Sequence, residues 1–220
     1  MPRNHHKEAD QKTIENLKKF IKENSKIILA FSGGPDSVFL LECLLKLAKE
    51  IPIEIIIAHL NHKLRGKDSS IDMQFAKKLA KEKGLKLENK EMDIAKLAKK
   101  NKNSIEEEGR NARYEFFSKI QKKHKADILM TAHHLDDNLE TILFNLIRGS
   151  GLKGLSGIGD NIKVIRPLLC VTKKEIMNFL KKKKIKFRID KTNFDTKIPR
   201  NLLRHKIIPM LEKINPNLPQ

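Results

Sequence analysis

A glycine-rich turn between an apolar strand and a helix constrains this chain more than any other feature. Residues 30–37 read Ala-Phe-Ser-Gly-Gly-Pro-Asp-Ser, between the apolar run 27–29 and the helical pattern 38–41. Paired glycines let a backbone approach an anion closely, and the first N–H groups of a helix have no intrahelical partner. The turn therefore predicts a phosphate site at a helix N-terminus. It is not a Walker A loop, because no Gly-Lys-Ser/Thr follows at the required spacing. The predicted loop residues are Ala30, Ser32, Gly33, Gly34, Pro35, Asp36 and Ser37.

The charge of the chain favours a polyanionic partner. Its 220 residues include 46 Lys+Arg against 27 Asp+Glu, a formal net charge of +19. Such a surplus indicates RNA or DNA binding, although biased codon usage would also enrich lysine. The two cysteines, Cys43 and Cys170, form no C-x-x-C, which disfavours zinc ribbons and iron–sulfur clusters. No apolar run approaches the length of a membrane span, so we expect a cytoplasmic protein without membrane contacts.

Apolar periodicity predicts strands alternating with helices. Strands are expected at 27–31, 53–59, 86–91, 127–131 and 164–168, and helices at 10–24, 37–49, 71–83, 105–124, 135–148 and 173–184. This alternation predicts an α/β fold, a Rossmann-like parallel sheet with helices on both faces. Residues 1–186 would form that domain, and 187–220 a short helical extension with a helix over 199–213. The apolar face of 10–24 could pack on its own chain or on a second copy, which leaves a homodimer open.

Three polar segments follow predicted strands and should converge on one crevice, because ligands of such sheets bind at the carboxyl ends of the strands. They are residues 29–37, 58–66 and 130–140. His59 and His62 lie three apart and invite a zinc site, but the loop supplies no cysteine or acidic pair to complete one. A loop that presents His59 and Arg65 to phosphate is the favoured interpretation.

The third segment places an imidazole and two carboxylates at helical spacing. His133, Asp137 and Glu140 lie at i, i+4 and i+7 and are expected to share one helical face. Carboxylates there could bind a cationic substrate, bind Mg²⁺ or accept a proton. Asp36 could likewise recruit Mg²⁺ between phosphate oxygens or serve only as a helix cap.

Two arginines of another helix point to anion binding. Arg110 and Arg113 lie three apart and are expected to share a face of the helix over 105–124. Arginine is scarce in this lysine-rich chain, and its planar fork suits phosphate or carboxylate. Pairing with Glu106 on the same helix is the alternative.

Together these motifs resemble a known family. The loop resembles that of the N-type ATP pyrophosphatases, or PP-loop superfamily. The whole set, in order, resembles the tRNA(Ile)-lysidine synthase family. The matching motifs are Ser-Gly-Gly-Pro-Asp-Ser, His-x-x-His-x-Leu-Arg-Gly, Arg-x-x-Arg-Tyr, Thr-Ala-His-His-x-Asp-Asp-x-x-Glu-Thr, Leu-Ile-Arg-Gly-Ser-Gly, Arg-Pro-Leu-Leu and Asp-x-Thr-Asn-x-Asp-x-x-x-Pro-Arg-Asn-x-x-Arg.

The resemblance implies a reaction and assigns roles. ATP, with Mg²⁺, would adenylate the C2 oxygen of the wobble cytidine in a tRNA(Ile) with a CAU anticodon. Free L-lysine would then displace AMP and give lysidine. Asp137 and Glu140 would hold the lysine, and His59 and His133 would contact ATP. The implied catalytic residues are Asp36, Arg113, His133, Asp137 and Glu140, and the implied tRNA-binding residues are Arg65, Arg110, Arg148, Arg200, Asn201 and Arg204.

Two alternative functions remain, and the chain departs from the family's pattern in one respect. The chain could be another PP-loop tRNA-modifying enzyme such as a 2-thiolase, although the paired cysteines typical of those enzymes are missing. It could also be a non-catalytic RNA- or nucleotide-binding module, which would bind ATP without releasing AMP. The departure is that family members commonly continue into further C-terminal domains, whereas this sequence stops at Gln220.

Overall fold

A four-stranded parallel sheet organises the molecule. The computed structural model describes residues 7–64, 66–152, 156–158 and 164–218. Its strands are β1 (Lys26–Ala30), β2 (Glu54–Asn61), β3 (Lys86–Glu91) and β4 (Ile128–Met130), in the order β3-β2-β1-β4. All three pairings are parallel, with β1 between β2 and β4. The predicted α/β fold is confirmed.

The strands alternate their side chains between two apolar cores, as the period of two requires. Ile27 and Leu29 of β1 join one core, whereas Ile28 joins the other. Ile57 and Ile56 of β2 divide in the same way. Because both faces are buried, these strands are continuously apolar rather than alternating.

Helices cover both faces of the sheet. The first core includes residues of α1, α2, α3 and α7, and the second includes residues of α4 and α5. Thr172 caps α7, where its hydroxyl accepts from the backbone N–H of Glu175 at 3.2 Å. The helices are α1 (Ala9–Leu17), α2 (Pro35–Leu47), α3 (Lys67–Glu82), α4 (Ile94–Asn101), α5 (Ile105–His124), α6 (Leu135–Ile147) and α7 (Lys173–Lys182).

Helix α4 (Ile94–Asn101) is not among the expected elements, and two of the expected elements take a different form. The strand expected at 164–168 is a single parallel bridge between Ile165 and Met130, followed by the 3₁₀ helix Pro167–Cys170. Pro167 explains the change, because proline has no N–H to continue a ladder. The helix expected at 10–24 ends at Leu17. Its apolar residues Ile14 and Leu17 are buried within this chain, so the segment lends no support to a homodimer.

The tail, here residues 187–218, folds back onto the carboxyl ends of the strands. It contains the 3₁₀ helix Lys191–Phe194, α8 (Pro199–Leu202), the π-helical segment Leu203–Ile207 and α9 (Ile208–Ile214). The backbone N–H of Arg188 donates to the carbonyl oxygen of Gly33 at 2.9 Å, which joins the tail to the glycine turn. The helix predicted over 199–213 is confirmed in position. The division at residue 187 remains a prediction.

Among the described residues, no helix is long and apolar enough to cross a membrane. Both cysteines are free thiols, and Cys43 is buried in the first core.

Candidate functional site

The glycine turn after β1 is a loop closed by its own serines. Gly34 is the N-cap of α2 and Pro35 occupies the first turn. The hydroxyl of Ser37 accepts from the N–H of Gly33 at 3.1 Å and donates to the carbonyl of Gly34 at 3.0 Å. The hydroxyl of Ser32 accepts from the N–H of Gly34 at 3.2 Å. The loop is therefore held in shape before any anion binds.

Both the backbone conformation and the close packing at position 33 require glycine. Its φ is +82°, a region that residues with a Cβ rarely adopt. An added Cβ would also lie 3.2 Å from Phe75 Cδ1 and 3.7 Å from Arg188 Cγ. Arg188 in turn donates from Nε to the carboxylate of Asp72 at 2.9 Å. The tail and α3 therefore close around the turn.

Two cavities meet at this loop. The first, of about 650 Å³, extends over the ends of β1, β2 and β4 and is here termed the strand-end cavity. The second, of about 530 Å³, lies between the loop, α6 and the tail and is here termed the acidic cavity. Ser32, Asp36, Asp72 and Asp190 line both cavities. A molecule bound in one cavity would thus contact the same loop as a molecule bound in the other.

The strand-end cavity contains a histidine with an unpartnered nitrogen. His59 is 4% exposed, and its Nδ1–H donates to the carbonyl of Phe31 at 2.9 Å. That bond fixes the tautomer and leaves Nε2, which has no partner, as an acceptor. Burial lowers the pKa of His59, so the ring is neutral near pH 7.

Arg113 and His133 also line the strand-end cavity. Nδ1 of His133 lies 2.9 Å from the hydroxyl of Thr131. Burial lowers the pKa of His133, and the positive charges of Arg166 and Arg113 lower it further, whereas the negative charge of Asp137 opposes the shift. His133 is therefore neutral near pH 7. Burial also lowers the pKa of Arg113, but a guanidinium stays charged in proteins.

The acidic cavity contains a partly buried ion pair between α6 and the tail. Arg204 donates from Nε to Glu140 Oε1 at 2.5 Å and from Nη2 to Glu140 Oε2 at 2.9 Å. The same Nη2 donates to Asp137 Oδ1 at 3.1 Å. Burial raises the pKa of Glu140, and the hydrogen bonds from Arg204 act against that shift. The two carboxylates thus form a place where a cation is bound.

A second histidine joins the loop to the acidic residues. His134 caps α6 and is 3% exposed. Its ring nitrogens lie 3.4 Å from oxygens of Asp136 and Asp137 and 3.9 Å from Asp36. Burial alone lowers the pKa of His134, but the hydrogen bond with Asp136 and the charges of Asp137 and Asp36 outweigh it and raise the pKa. The carboxylates around His134 therefore favour its protonated form.

The lining of the acidic cavity carries more negative than permanent positive charge. Asp36 is itself paired with Lys173, whose Nζ lies 2.6 Å from Oδ1. The surplus favours a cationic ligand. The lining carboxylates are Asp36, Asp72, Asp136, Asp137, Glu140 and Asp190, and the lining permanent cations are Lys173, Arg188 and Arg204.

The structure brings most of the predicted site residues together. The loop residues Ser32, Gly34, Pro35, Asp36 and Ser37 line one cavity or both, and so does Ala30. His133 is not on the helix with Asp137 and Glu140, because α6 begins at Leu135. It reaches the strand-end cavity from the preceding loop, so the expected common helical face is wrong for His133.

The predicted tRNA-binding residues separate into different environments. Arg148 and Arg200 lie over one ring, with guanidinium carbons 5.4 and 5.5 Å from the Phe144 centroid. Arg110 lies over Tyr114, whereas Arg113, three residues on, lines a cavity. Arg65 lies outside the described residues.

Two residues expected to contact RNA are instead engaged within the protein. The buried amide of Asn201 donates to the carbonyls of Thr192 and Asp195, both at 2.9 Å, and so fixes the tail. The guanidinium of Arg204 binds carboxylates rather than facing outward with that of Arg200. Both side chains have partners within the protein, and their contact with RNA stays a prediction.

Three residues that sequence reasoning missed take part in the site: His134, Lys173 and Arg188. His134 lies inside one of the matching motifs, but the helical spacing to Asp137 and Glu140 favoured His133 as the site residue. Lys173 is one of many lysines, and Arg188 belongs to none of those motifs. No local signal distinguishes these two, because each reaches its carboxylate, Asp36 or Asp72, through tertiary contacts.

Within the described ranges, no group of three or more His, Cys, Asp or Glu side chains is placed to hold a metal ion. Magnesium commonly binds through one or two carboxylates together with substrate phosphates. Asp36 suits that mode, because its carboxylate adjoins the glycine turn and lines both cavities.

Comparison with known proteins gives one family and a set of curated relatives. Residues 6–211 match a family model described as a PP-loop domain. Relatives described as tRNA(Ile)-lysidine synthase include proteins of Persephonella marina (42% identity, 96% of this chain, 47% of the relative), Thermosipho africanus (43%, 94%, 49%) and Chlorobaculum tepidum (37%, 93%, 63%). The chain spans about half the length of the first two of these relatives.

Solved structures share the fold at low sequence identity. The U34-tRNA thiolase NcsA of Methanococcus maripaludis superimposes with a TM-score of 0.80 at 22% identity, covering 96% of this chain and 74% of the thiolase. An NH₃-dependent NAD synthetase of Campylobacter jejuni gives a TM-score of 0.54 at 15% identity, covering 96% and 88%. At these identities the likeness concerns the fold alone.

Proposed function

The chain belongs to the PP-loop domain family, and we propose that it joins L-lysine to C2 of the wobble cytidine of tRNA(Ile), with ATP as the activating substrate. The products are lysidine, AMP and pyrophosphate. The observation that carries the proposal is the acidic cavity, which opens directly beside the glycine turn and shares Asp36 with the strand-end cavity. The curated relatives of the same description, 37–43% identical over more than nine-tenths of this chain, support it.

ATP binds across the glycine turn with its nucleoside in the strand-end cavity. The N-terminus of α2 and the hydroxyls of Ser32 and Ser37 receive the phosphates, because a helix N-terminus favours negative charge. Nε2 of His59 accepts a hydrogen bond from a donor on the nucleoside. Asp36 would hold Mg²⁺, which neutralises phosphate charge when bound.

Gly33→Ala tests the loop. We expect a loss of about 1–3 kcal/mol of folding free energy, because alanine is strained at φ +82°. ATP affinity should fall by roughly tenfold or more, because the shifted turn misplaces the backbone N–H groups. Urea unfolding and calorimetric titration with a non-hydrolysable ATP analogue measure both effects.

Gly151→Ala is the matched control, because a Cβ added at Gly151 would have no heavy atom within 4 Å and the φ of this residue is not positive. It should change neither quantity by more than about 0.5 kcal/mol. Wild-type ATP affinity in Gly33→Ala would contradict the assignment of phosphates to this turn.

The lysine side chain binds to Asp137 and Glu140. Arg204 already occupies these carboxylates, which shows that the position stabilises a positive charge. An incoming ammonium therefore shares Asp137 with Arg204 or displaces the guanidinium from it. Glu140, whose pKa is raised by burial, is suited to accept the proton that the ammonium must lose before attack.

The two chemical steps use residues on both sides of the loop. The C2 oxygen of cytidine attacks the α-phosphorus and pyrophosphate leaves. The neutral amine of lysine then attacks C2, the bond from C2 to the adenylated oxygen breaks, and AMP leaves. Arg113 and neutral His133, at the strand-end cavity, donate to the phosphate oxygens where negative charge develops.

RNA binds beside the acidic cavity. Arg148 and Arg200 are exposed and lie over Phe144, in the C-terminal half of the helix whose N-terminal half carries Asp137 and Glu140. Arginine at such a position suits RNA phosphate, and Arg110 adds a further cation. Residues 187–220 form the extension that faces the RNA, and the chain acts in the cytoplasm.

A thiolase reaction is less favoured. The thiolase of similar fold is described with a [4Fe-4S] cluster, which requires cysteine ligands. In the part of the chain that the structure describes, no cysteine lines either cavity, and Cys43 is buried in the core.

Mass spectrometry of a single reaction tests the proposal. The chain is incubated with unmodified tRNA(Ile), Mg²⁺-ATP and isotopically labelled lysine, and the RNA is then digested to nucleosides. We expect labelled lysine on the wobble cytidine and none when that position is uridine. Release of AMP without lysidine, or no product at all, would contradict the proposed reaction.

A further inference from the structure

Phe194 is the most exposed aromatic side chain among the described residues. It is 63% exposed, compared with 40% for Tyr114 and 39% for Phe20. It nevertheless lines the acidic cavity, together with Gly34 of the glycine turn and Asp137 of α6. An apolar ring at the entrance of a strongly charged cavity is not explained by burial in a core.

Contacts within the tail support the ring in this position. His205 stacks on it, with centroids 5.6 Å apart and ring planes at 24°, and Nε2–H of His205 donates to the carbonyl of Asn193 at 2.7 Å. Asp190 caps the 3₁₀ helix through bonds from the N–H and hydroxyl of Thr192. One side of the Phe194 ring therefore contacts imidazole, and the rest of the ring is exposed where it lines the acidic cavity.

We propose that Phe194 is a stacking platform for an unstacked pyrimidine base of RNA, which in the proposed reaction is the target cytosine. The inference rests on the proposed function and names the contact that holds the base. An enzyme that modifies a base must take it out of the stack, and flipped bases commonly rest on aromatic side chains. Stacking on an exposed ring would compensate for the free energy that is lost when the base leaves the RNA stack.

The charge of the whole chain favours a nucleic-acid base over an apolar partner. The formal net charge of the chain is +19, and Arg200 lies six residues further along the same tail. Positive charge together with an exposed aromatic ring is the combination by which proteins bind single-stranded nucleic acid. A base on Phe194 would also face the cavity in which the glycine turn and the carboxylates meet, where both reaction steps are proposed.

RNA affinity and ring-current shifts test the platform without ATP or lysine. A tRNA(Ile) anticodon stem-loop carries a ¹³C-labelled wobble cytidine, and its affinity is measured by anisotropy at one fixed salt concentration. With the wild-type chain, the H5 and H6 protons of that cytidine should shift upfield on binding. Phe194→Ala should weaken binding by about 10- to 100-fold and abolish the shift.

Three further variants separate stacking from other roles. Phe194→Trp should retain the affinity and the upfield shift, whereas Phe194→Leu, which keeps an apolar side chain but no ring, should lose both. Phe20→Ala removes an exposed phenylalanine that lines neither cavity and should change nothing.

The inference and the proposed function fail in different ways. Wild-type lysidine formation together with unchanged RNA affinity and shifts in Phe194→Ala would overturn the platform alone. A raised KM for lysine at unchanged RNA affinity would also overturn it, because Phe194 would then contact the aliphatic stem of lysine. Loss of stem-loop binding and of the shift in Phe194→Ala would support a platform even if no lysidine were formed.

Discussion

Asp137→Asn is expected to lower lysidine formation to less than about one hundredth of the wild-type rate, with ATP binding retained. The substitution preserves the shape of the side chain but removes the charge that holds the lysine ammonium. Hydrogen bonds to charged groups contribute about 1.5–3 kcal/mol, and an ammonium that Asp137 no longer holds is also misplaced relative to Glu140, where a positioned base contributes about 10²–10⁴ in rate. Asp137 does not line the strand-end cavity, so the nucleoside contacts should persist. Mass spectrometry of the RNA and titration with an ATP analogue measure the two quantities.

Asp127→Asn is the matched control for this prediction. Like Asp137, which accepts from the N–H of His134 at 3.0 Å, Asp127 accepts a backbone bond, from the N–H of Lys26 at 2.8 Å. It lies at the amino end of β4, the opposite edge of the sheet from the cavities. Its replacement should leave lysidine formation within about twofold of wild type. Unchanged turnover in Asp137→Asn would remove Asp137 from the lysine site.

Features set by short-range spacing were predictable from the sequence. The strand, the glycine turn and the start of α2 follow from residues 27–41, because each cue acts within a few residues. Asp137 and Glu140, three apart on one helix, were expected on one face, and both contact Arg204. The convergence of three segments also followed, because parallel strands bring their carboxyl ends to one edge.

Features set by helix starts and long-range packing were not predictable in the same way. Spacing selected His133 as the partner of Asp137, but α6 begins two residues later, and the cap His134 takes that place. Arg204 contacts Glu140 across 64 residues of sequence, and only the packing of the tail on α6 decides that contact. From the sequence alone, an arginine in a basic chain is as compatible with an RNA phosphate as with a carboxylate of its own protein.

Arg204→Ala is expected to destabilise the fold by about 3 kcal/mol near pH 7, because it leaves the buried carboxylate of Glu140 without its cation. The value is at the lower end for buried pairs, since the Arg204 side chain is 36% exposed. The loss should depend on pH in a defined direction. Burial raises the pKa of Glu140 in the folded state, so ionisation of this group costs stability as the pH rises through that pKa. Without Arg204 the pKa rises further, and the deficit should be small near pH 4 and grow toward neutral pH.

Urea unfolding of the wild type and Arg204→Ala at several pH values measures this dependence, with Arg200→Ala as the matched control. Arg200 lies four residues earlier and over the ring of Phe144, so its loss should cost little and equally at every pH. Combining Arg204→Ala with Glu140→Gln should restore most of the stability near pH 7, because no buried charge then lacks a partner. A deficit in Arg204→Ala that does not vary with pH would instead assign the contribution of Arg204 to packing of its aliphatic stem, and the carboxylates would not require a cation.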